Sequence, residues 1–148
     1  MVVDPQKLLL VEDDPNDVEL IQLAIQELNF IRVFDVVSDG EQAIQYLCGN
    51  DLSPPTRDLP RLVLMDLKLP KKNGIEVLQA IRSHPRTRFL PVVIMTSSAE
   101  EQDLRACYNL GVNSYVVKAL EFQQFRELAQ QVGAYWMNVN HPLGYLGA

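Results

Sequence analysis

Five short apolar runs punctuate the chain, at residues 7–12, 32–37, 62–65, 92–95 and 115–117. The first, third and fourth are apolar without alternation (Leu8-Leu9-Leu10-Val11, Leu62-Val63-Leu64-Met65 and Val92-Val93-Ile94-Met95), the pattern of strands covered on both faces. The second carries Arg32 and Asp35 and reads as an edge strand. Between the runs the apolar spacing changes to three and four. Val18, Ile21, Ala24, Ile25 and Leu28 make one stripe, and Ala43, Ile44 and Leu47 a shorter one. Ile75, Leu78 and Ile81 follow Asn73-Gly74, Leu104, Cys107 and Leu110 precede Gly111, and Phe125, Leu128, Val132 and Trp136 mark the last. These spacings predict helices. Asp14-Pro15 reads as an N-cap followed by the first helical residue, and Gly111 as the residue that ends a helix. Residues 49–60, with Pro54-Pro55, read as a loop. Strands alternating with helices predict βαβ units, hence an α/β protein whose parallel sheet carries helices on both faces.

A length of 148 residues suits one domain. We expect it to span residues 1–137, with 138–148 as a C-terminal tail and no linker to a second domain. The net charge of −6 speaks against nucleic acid, and Arg82, Arg86 and Arg88 form too short a cluster to change that. Cys48 and Cys107 lie apart, without metal-ligand spacing, and read as small apolar residues. His84 and His141, each before a proline, read as surface residues. The N-terminus lacks the basic and apolar regions of a signal peptide, and no apolar run nears the ~20 residues that span a bilayer, so a cytoplasmic protein without membrane contact is expected.

The residues that end the runs carry the chemistry. The first ends at Glu12-Asp13, the third at Asp66, the fourth at Thr96 and the fifth at Lys118. In an open parallel sheet, ligands bind beyond the carboxyl ends of the strands. If the four strands are neighbours, three acids, a hydroxyl and an amine converge on one crevice. Crowded carboxylates repel, and a hard divalent cation such as Mg²⁺ resolves the repulsion. An Asp beside that cation is a nucleophile toward phosphorus, and Lys118 with the Thr96 hydroxyl suits the phosphoryl oxygens. Each residue alone has an ordinary reading as a cap, a strand residue or a solvated lysine; the joint order does not.

Leu10-Val11-Glu12-Asp13-Asp14, the block from Leu64 to Pro70 with Asn73-Gly74, the block from Pro91 to Ser97, and the block from Gly111 to Lys118 resemble the signature segments of response-regulator receiver domains. The resemblance covers residues 7–134 and implies a flavodoxin-like, doubly wound five-stranded sheet of order 2-1-3-4-5. It implies that Asp66 accepts a phosphoryl group from a sensor histidine kinase, and that Glu12, Asp13, Asp66 and the backbone carbonyl of Lys68 hold Mg²⁺. Thr96 and Lys118 would contact the phosphoryl group, and Thr96 and Tyr115 would form the switch. Such a protein is a phosphoacceptor that promotes its own phosphotransfer and dephosphorylation, not an enzyme acting on a separate substrate. Output would run through protein contacts or a phosphorelay.

A narrower resemblance joins Pro15-Asn16-Asp17-Val18-Glu19-Leu20 and the tail Tyr135-Trp136-Met137 to the stand-alone regulators of cyanobacterial phytochromes. It implies a phytochrome as the kinase and a homodimer involving the C-terminal region. Trp136, Met137, Val139, Leu143, Tyr145 and Leu146 offer more apolar surface than one helix face buries, which makes Trp136, Met137, Val139 and Leu143 candidate dimer contacts. The surface around Tyr108, Tyr115 and the last helix is the candidate output face.

Two positions depart from the family. Ala119 stands where a proline usually follows the lysine through a cis peptide, which puts the placement of Lys118 in question and predicts slower or weaker phosphoryl signalling. Lys68 stands two residues beyond the acceptor, where a phosphatase of the dehalogenase type needs a second aspartate. That alternative is disfavoured. A phosphate-independent binding module of receiver shape rests on Ala119 alone.

Overall fold

The computed structural model describes residues 3–50 and 58–144. Its elements alternate along the chain: β1 (Val3–Val11), α1 (Pro15–Gln26), β2 (Val33–Val37), α2 (Gly40–Cys48), β3 (Leu59–Met65), α3 (Gly74–Ser83), β4 (Val92–Thr96), α4 (Glu101–Asn109), β5 (Ser114–Val117) and α5 (Phe122–Ala134). All four strand pairings are parallel and the order is β2-β1-β3-β4-β5, the flavodoxin-like doubly wound arrangement, with β2 at one edge.

The unbroken apolar runs follow from this architecture. Alternate residues of the inner strands enter two separate cores. Leu9, Val11, Val63, Met65, Val92 and Ile94 pack with α2, α3 and Cys107 of α4. Leu8, Leu10, Leu62, Leu64, Val93 and Met95 pack with Ile21, Ala24 and Ile25 of α1 and Phe125, Ala129 and Val132 of α5. The two thiols are free; Cys107 is fully buried and Cys48 half-buried.

Two strands start earlier than the apolar pattern indicates. Val3 pairs with Leu59 and Asp4 with Pro60, ahead of a register irregularity before Leu8. Pro5 and Pro60 hid these segments, because proline gives no N–H to a ladder and reads as a break. Pro54-Pro55 lies outside the described residues.

The starts of α1 and α3 are capped by side chains, the first as the sequence predicts. Asp14 accepts from Asn16 N at 2.9 Å, with Pro15 opening α1. Asn73 accepts from Glu76 N at 2.9 Å while Glu76 returns the bond to Asn73 N at 3.2 Å, a full capping box at the start of α3. Gly111 has φ +80 just past the C-cap of α4, the left-handed residue its position called for.

The C-terminal region corrects one expectation. After α5 the helix widens into a single π turn, Tyr135–Val139, closed by Asn140 N donating to Tyr135 O at 2.8 Å. The wider turn rotates Met137 into the core against β1 and β3, so Met137 is unavailable as a dimer contact. Trp136 is half-buried, its ring edge-on to Tyr135 at 5.1 Å. Val139 and Leu143 are exposed, and Tyr145 and Leu146 lie outside the described residues. Arg61 of β3 donates to Asn140 O at 2.7 Å, so the folded unit continues past residue 137.

Gly74 is where the β3–α3 connection comes closest to itself. A Cβ there would lie 2.5 Å from the Asp66 carbonyl oxygen and 2.8 Å from the Leu67 Cα. Both are backbone atoms, so Gly74→Ala must displace the segment that carries Asp66. We expect a loss of about 2 kcal/mol, read from urea unfolding; a wild-type midpoint would contradict this placement.

Candidate functional site

The parallel ladder runs one residue beyond each apolar strand, and that step delivers the polar groups. Glu12 N donates to Val37 O at 3.0 Å, Asp66 N to Val11 O at 3.1 Å and Lys118 N to Thr96 O at 2.8 Å. Each following side chain is thereby aimed over the carboxyl edge of the sheet. The Lys118 ammonium donates to Glu12 Oε1 at 2.8 Å, Asp17 Oδ2 at 2.7 Å and Asp66 Oδ2 at 2.8 Å. The other Asp66 oxygen accepts from Leu67 N at 2.6 Å and Lys68 N at 3.4 Å. Thr96 is fully buried at the carboxyl end of β4, where its hydroxyl accepts from Ser98 N at 3.4 Å and favours the ionised form of Asp66.

Ala119 does not misplace the lysine. No cis peptide occurs among the described residues, and across the trans bond Lys118 still reaches all three carboxylates.

Three carboxylates around one ammonium leave the crevice short of positive charge. Burial pushes Glu12 up to about 7, against the opposing pull of Lys118. Burial acts the same way on Asp66, but there the bonds from Lys118, Thr96 and the Lys68 amide prevail and hold the carboxyl below its ordinary value. Burial would depress Lys118; Asp17, Asp66 and Glu12 overcome it and raise the ammonium well above the usual lysine. Asp66 therefore stays ionised, while the buried Glu12 is the group a further cation would relieve.

The structure gathers Glu12, Asp66, Thr96 and Lys118 but sets Asp13 apart. Asp13 is exposed on the crevice wall, which Lys68 also lines. The tight acidic group is instead Glu12, Asp17 and Asp66, with one carboxylate oxygen of each within 4.8 Å of the others. Asp17 was not singled out from the sequence as a site residue. Its signal lay in the cap: Asp14-Pro15 fixes the start of α1, and residue 17 then lies in the first turn, beside the sheet edge.

Tyr115 pairs in register with Ile94, two residues before Thr96. It is half-buried, and its hydroxyl donates to Ser98 O at 2.8 Å; Ser98 in turn donates to Asp103 of α4 at 2.6 Å. Tyr108 is exposed on α4 nearby. His84 is partly exposed, accepting from Arg86 N at 3.1 Å at the far end of α3, and His141 is exposed.

Beyond the polar floor, the crevice has an apolar rim of Leu20, Ala119, Leu120 and Phe122. Leu120 is fully exposed and Phe122 half so, an unusual setting for such side chains beside a charged cluster.

A sheet of this order, with acids, a hydroxyl and a lysine converging on its carboxyl edge, defines the class of flavodoxin-like signalling receivers. The chain belongs to the response regulator receiver domain family, which it matches over residues 8–130. It is 39% identical to the probable methanogenesis regulatory protein FilR2 of Methanothrix harundinacea, across 95% of this chain and 90% of that one. It is 34% identical to the response regulator Rcp1 of Synechocystis sp., across 90% of each chain. The crystal structures of the phosphorylated cyanobacterial phytochrome response regulator RcpA and of Mn²⁺-bound Rcp1 each superpose with a TM-score of 0.82 at 33% identity, covering 93% of this chain and 98% and 99% of theirs. No helix among the described residues is long and apolar enough to cross a membrane.

Removing the ammonium strands the carboxylates. Lys118→Met is expected to cost roughly 3 kcal/mol of stability in metal-free buffer, because one partner of a buried ionic group is lost. Added Mg²⁺ should return part of it. Equal unfolding midpoints for variant and wild type in EDTA would rule this out.

Proposed function

We propose that the chain takes a phosphoryl group from a sensor histidine kinase onto Asp66 in a Mg²⁺-dependent reaction and passes the signal on through protein contacts or a phosphorelay. The observation that carries this reading is the Lys118 ammonium 2.8 Å from Asp66 at the edge of the sheet. In the transfer an ionised Asp66 oxygen forms a bond to phosphorus as the P–N bond of the donor's phosphohistidine breaks, and the electron pair leaves on the imidazole nitrogen. Lys118 and the Thr96 hydroxyl are placed to donate to the phosphoryl oxygens.

The residues present fit a hard divalent ion: the donors are oxygens only, they are crowded, and they are under-neutralised. Glu12, Asp13 and Asp66, with the Lys68 carbonyl, would hold it, and it would neutralise charge on the transferring group. The Mn²⁺-bound form of Rcp1 and the phosphorylated form of RcpA support the reading. The rim of exposed Leu120 and Phe122 with half-buried Leu20 is the surface on which a kinase helix would seat beside Asp66. Thr96 drawn toward the phosphoryl group would free space behind it, and Tyr115 would leave Ser98 to fill it, changing the surface near Tyr108.

Incubation with acetyl phosphate, read by intact mass, is expected to add one phosphoryl group only when Mg²⁺ is present, and none to Asp66→Asn. Addition to the variant at the wild-type rate would move the acceptor elsewhere.

The similarity to Rcp1 and RcpA favours a phytochrome as the kinase. A purified cyanobacterial phytochrome kinase should then label this protein faster in one light state than in the other. Transfer rates that ignore light would shift the assignment toward a non-light input, as the similarity to FilR2 suggests. A homodimer through the exposed Tyr135, Val139 and Leu143 completes the reading. Leu143→Glu should weaken self-association about tenfold in sedimentation equilibrium; a wild-type protein that stays monomeric at high concentration would dismiss the dimer.

A further inference from the structure

We infer that Asp17 is a positioning residue for Lys118: it shares the ammonium with Glu12 and Asp66 in the metal-free protein and retains it when a divalent cation takes the other two. The inference rests on the Mg²⁺ reading above and assigns the site a device for exchanging one cation for another.

An ammonium has three protons to donate and no more. All three are committed here, to Asp17 at 2.7 Å and to Glu12 and Asp66 at 2.8 Å each. A metal entering this group must draw on carboxylate oxygens that Lys118 already occupies. The three are not equivalent. Glu12 and Asp66 extend from the sheet edge and are 2% and 11% exposed, whereas Asp17 comes from a helix and is 22% exposed, the most open of the three.

Asp17 is also rigidly presented. Its helix starts at a capped Asp14 with Pro15 in the first turn, and Ile21, Ala24 and Ile25 bury the helix against the sheet. Lys118 can therefore yield Glu12 and Asp66 to a metal without being expelled into solvent, remaining beside the acceptor oxygen. Two other roles compete: an acidic first-turn residue that merely complements the helix dipole, which involves no lysine, and a direct metal ligand.

A double-mutant cycle separates them. Mg²⁺ affinity is measured by titration calorimetry for the wild type, Asp17→Asn, Lys118→Met and the double variant, each verified as folded under the titration conditions. With Lys118 present, losing Asp17 leaves the ammonium wholly on Glu12 and Asp66, and Mg²⁺ binding should weaken about tenfold. In the Lys118→Met background the same change should move affinity less than twofold. An equal loss in both backgrounds makes Asp17 a metal ligand and overturns the inference, and no loss in either does the same. A wild type that takes up no Mg²⁺ would defeat the metal reading itself, an outcome distinct from metal binding with an additive cycle.

A second measurement needs only Asp17→Asn. In protein labelled with ¹⁵N-lysine, the Lys118 ammonium resonance should persist at saturating Mg²⁺ in the wild type and broaden away by solvent exchange in the variant. A resonance that survives equally in the variant overturns the proposal.

Discussion

One ammonium shared by three carboxylates organises the functional end of this molecule. Glu12, Asp17 and Asp66 would repel one another in a crevice partly closed to water, and Lys118 is what allows them to be gathered there. The backbone prepares the arrangement. Because the ladder bonds Glu12 to Val37, Asp66 to Val11 and Lys118 to Thr96, each charged residue is fixed one step beyond its strand, and none is free to withdraw. The result is a site held together by its own electrostatic conflict, with the buried Glu12 left most in need of another positive charge.

Most of the sheet, and every gathered residue of the site except Asp17, could be read from the chain. Strands covered on both faces are apolar at every position, so the runs ending at Val11, Met65 and Met95 stood out, and with them the polar residues that follow. Thr96 was legible for the same reason; Lys118 follows the half-buried β5 and stood out only through its place after the last short run. Asp17 was harder, because its approach to Lys118 depends on how α1 lies across the sheet and not on any strand end. The early pairing of Val3 with Leu59 was concealed by prolines that a periodicity argument treats as breaks. Met137 was misjudged because its direction depends on a π turn, which shifts every residue after it relative to a regular helix. Ala119 raised a doubt that the geometry removes: the path after β5 differs from the family's usual one, yet the lysine arrives.

The two cores divide the labour of the sheet. Neighbouring residues within one strand, Ile94 and Met95 for instance, answer to different helices. The α1 and α5 side carries Asp17 and the apolar rim, where a phosphoryl donor would approach. The α4 side carries Cys107, and Tyr115, Ser98 and Asp103 connect β5 to that helix. Asp66 and Thr96 lie at the seam between the two halves, at the carboxyl ends of the adjacent central strands β3 and β4.

Arg61 gives that seam a second end. It lies on the same strand as the approach to Asp66, and its guanidinium grips the carbonyls of Asn140 at 2.7 Å and Pro5 at 3.4 Å. The segment around Asn140 is thus clamped to the foot of the strand whose head leads into Asp66. A protease that nicked the chain before Asn140 would do more than trim an end: it would strip a buried cation of an acceptor and loosen the central strand at its base. Resistance to such clipping would be a measure of how firmly Asp66 itself is seated.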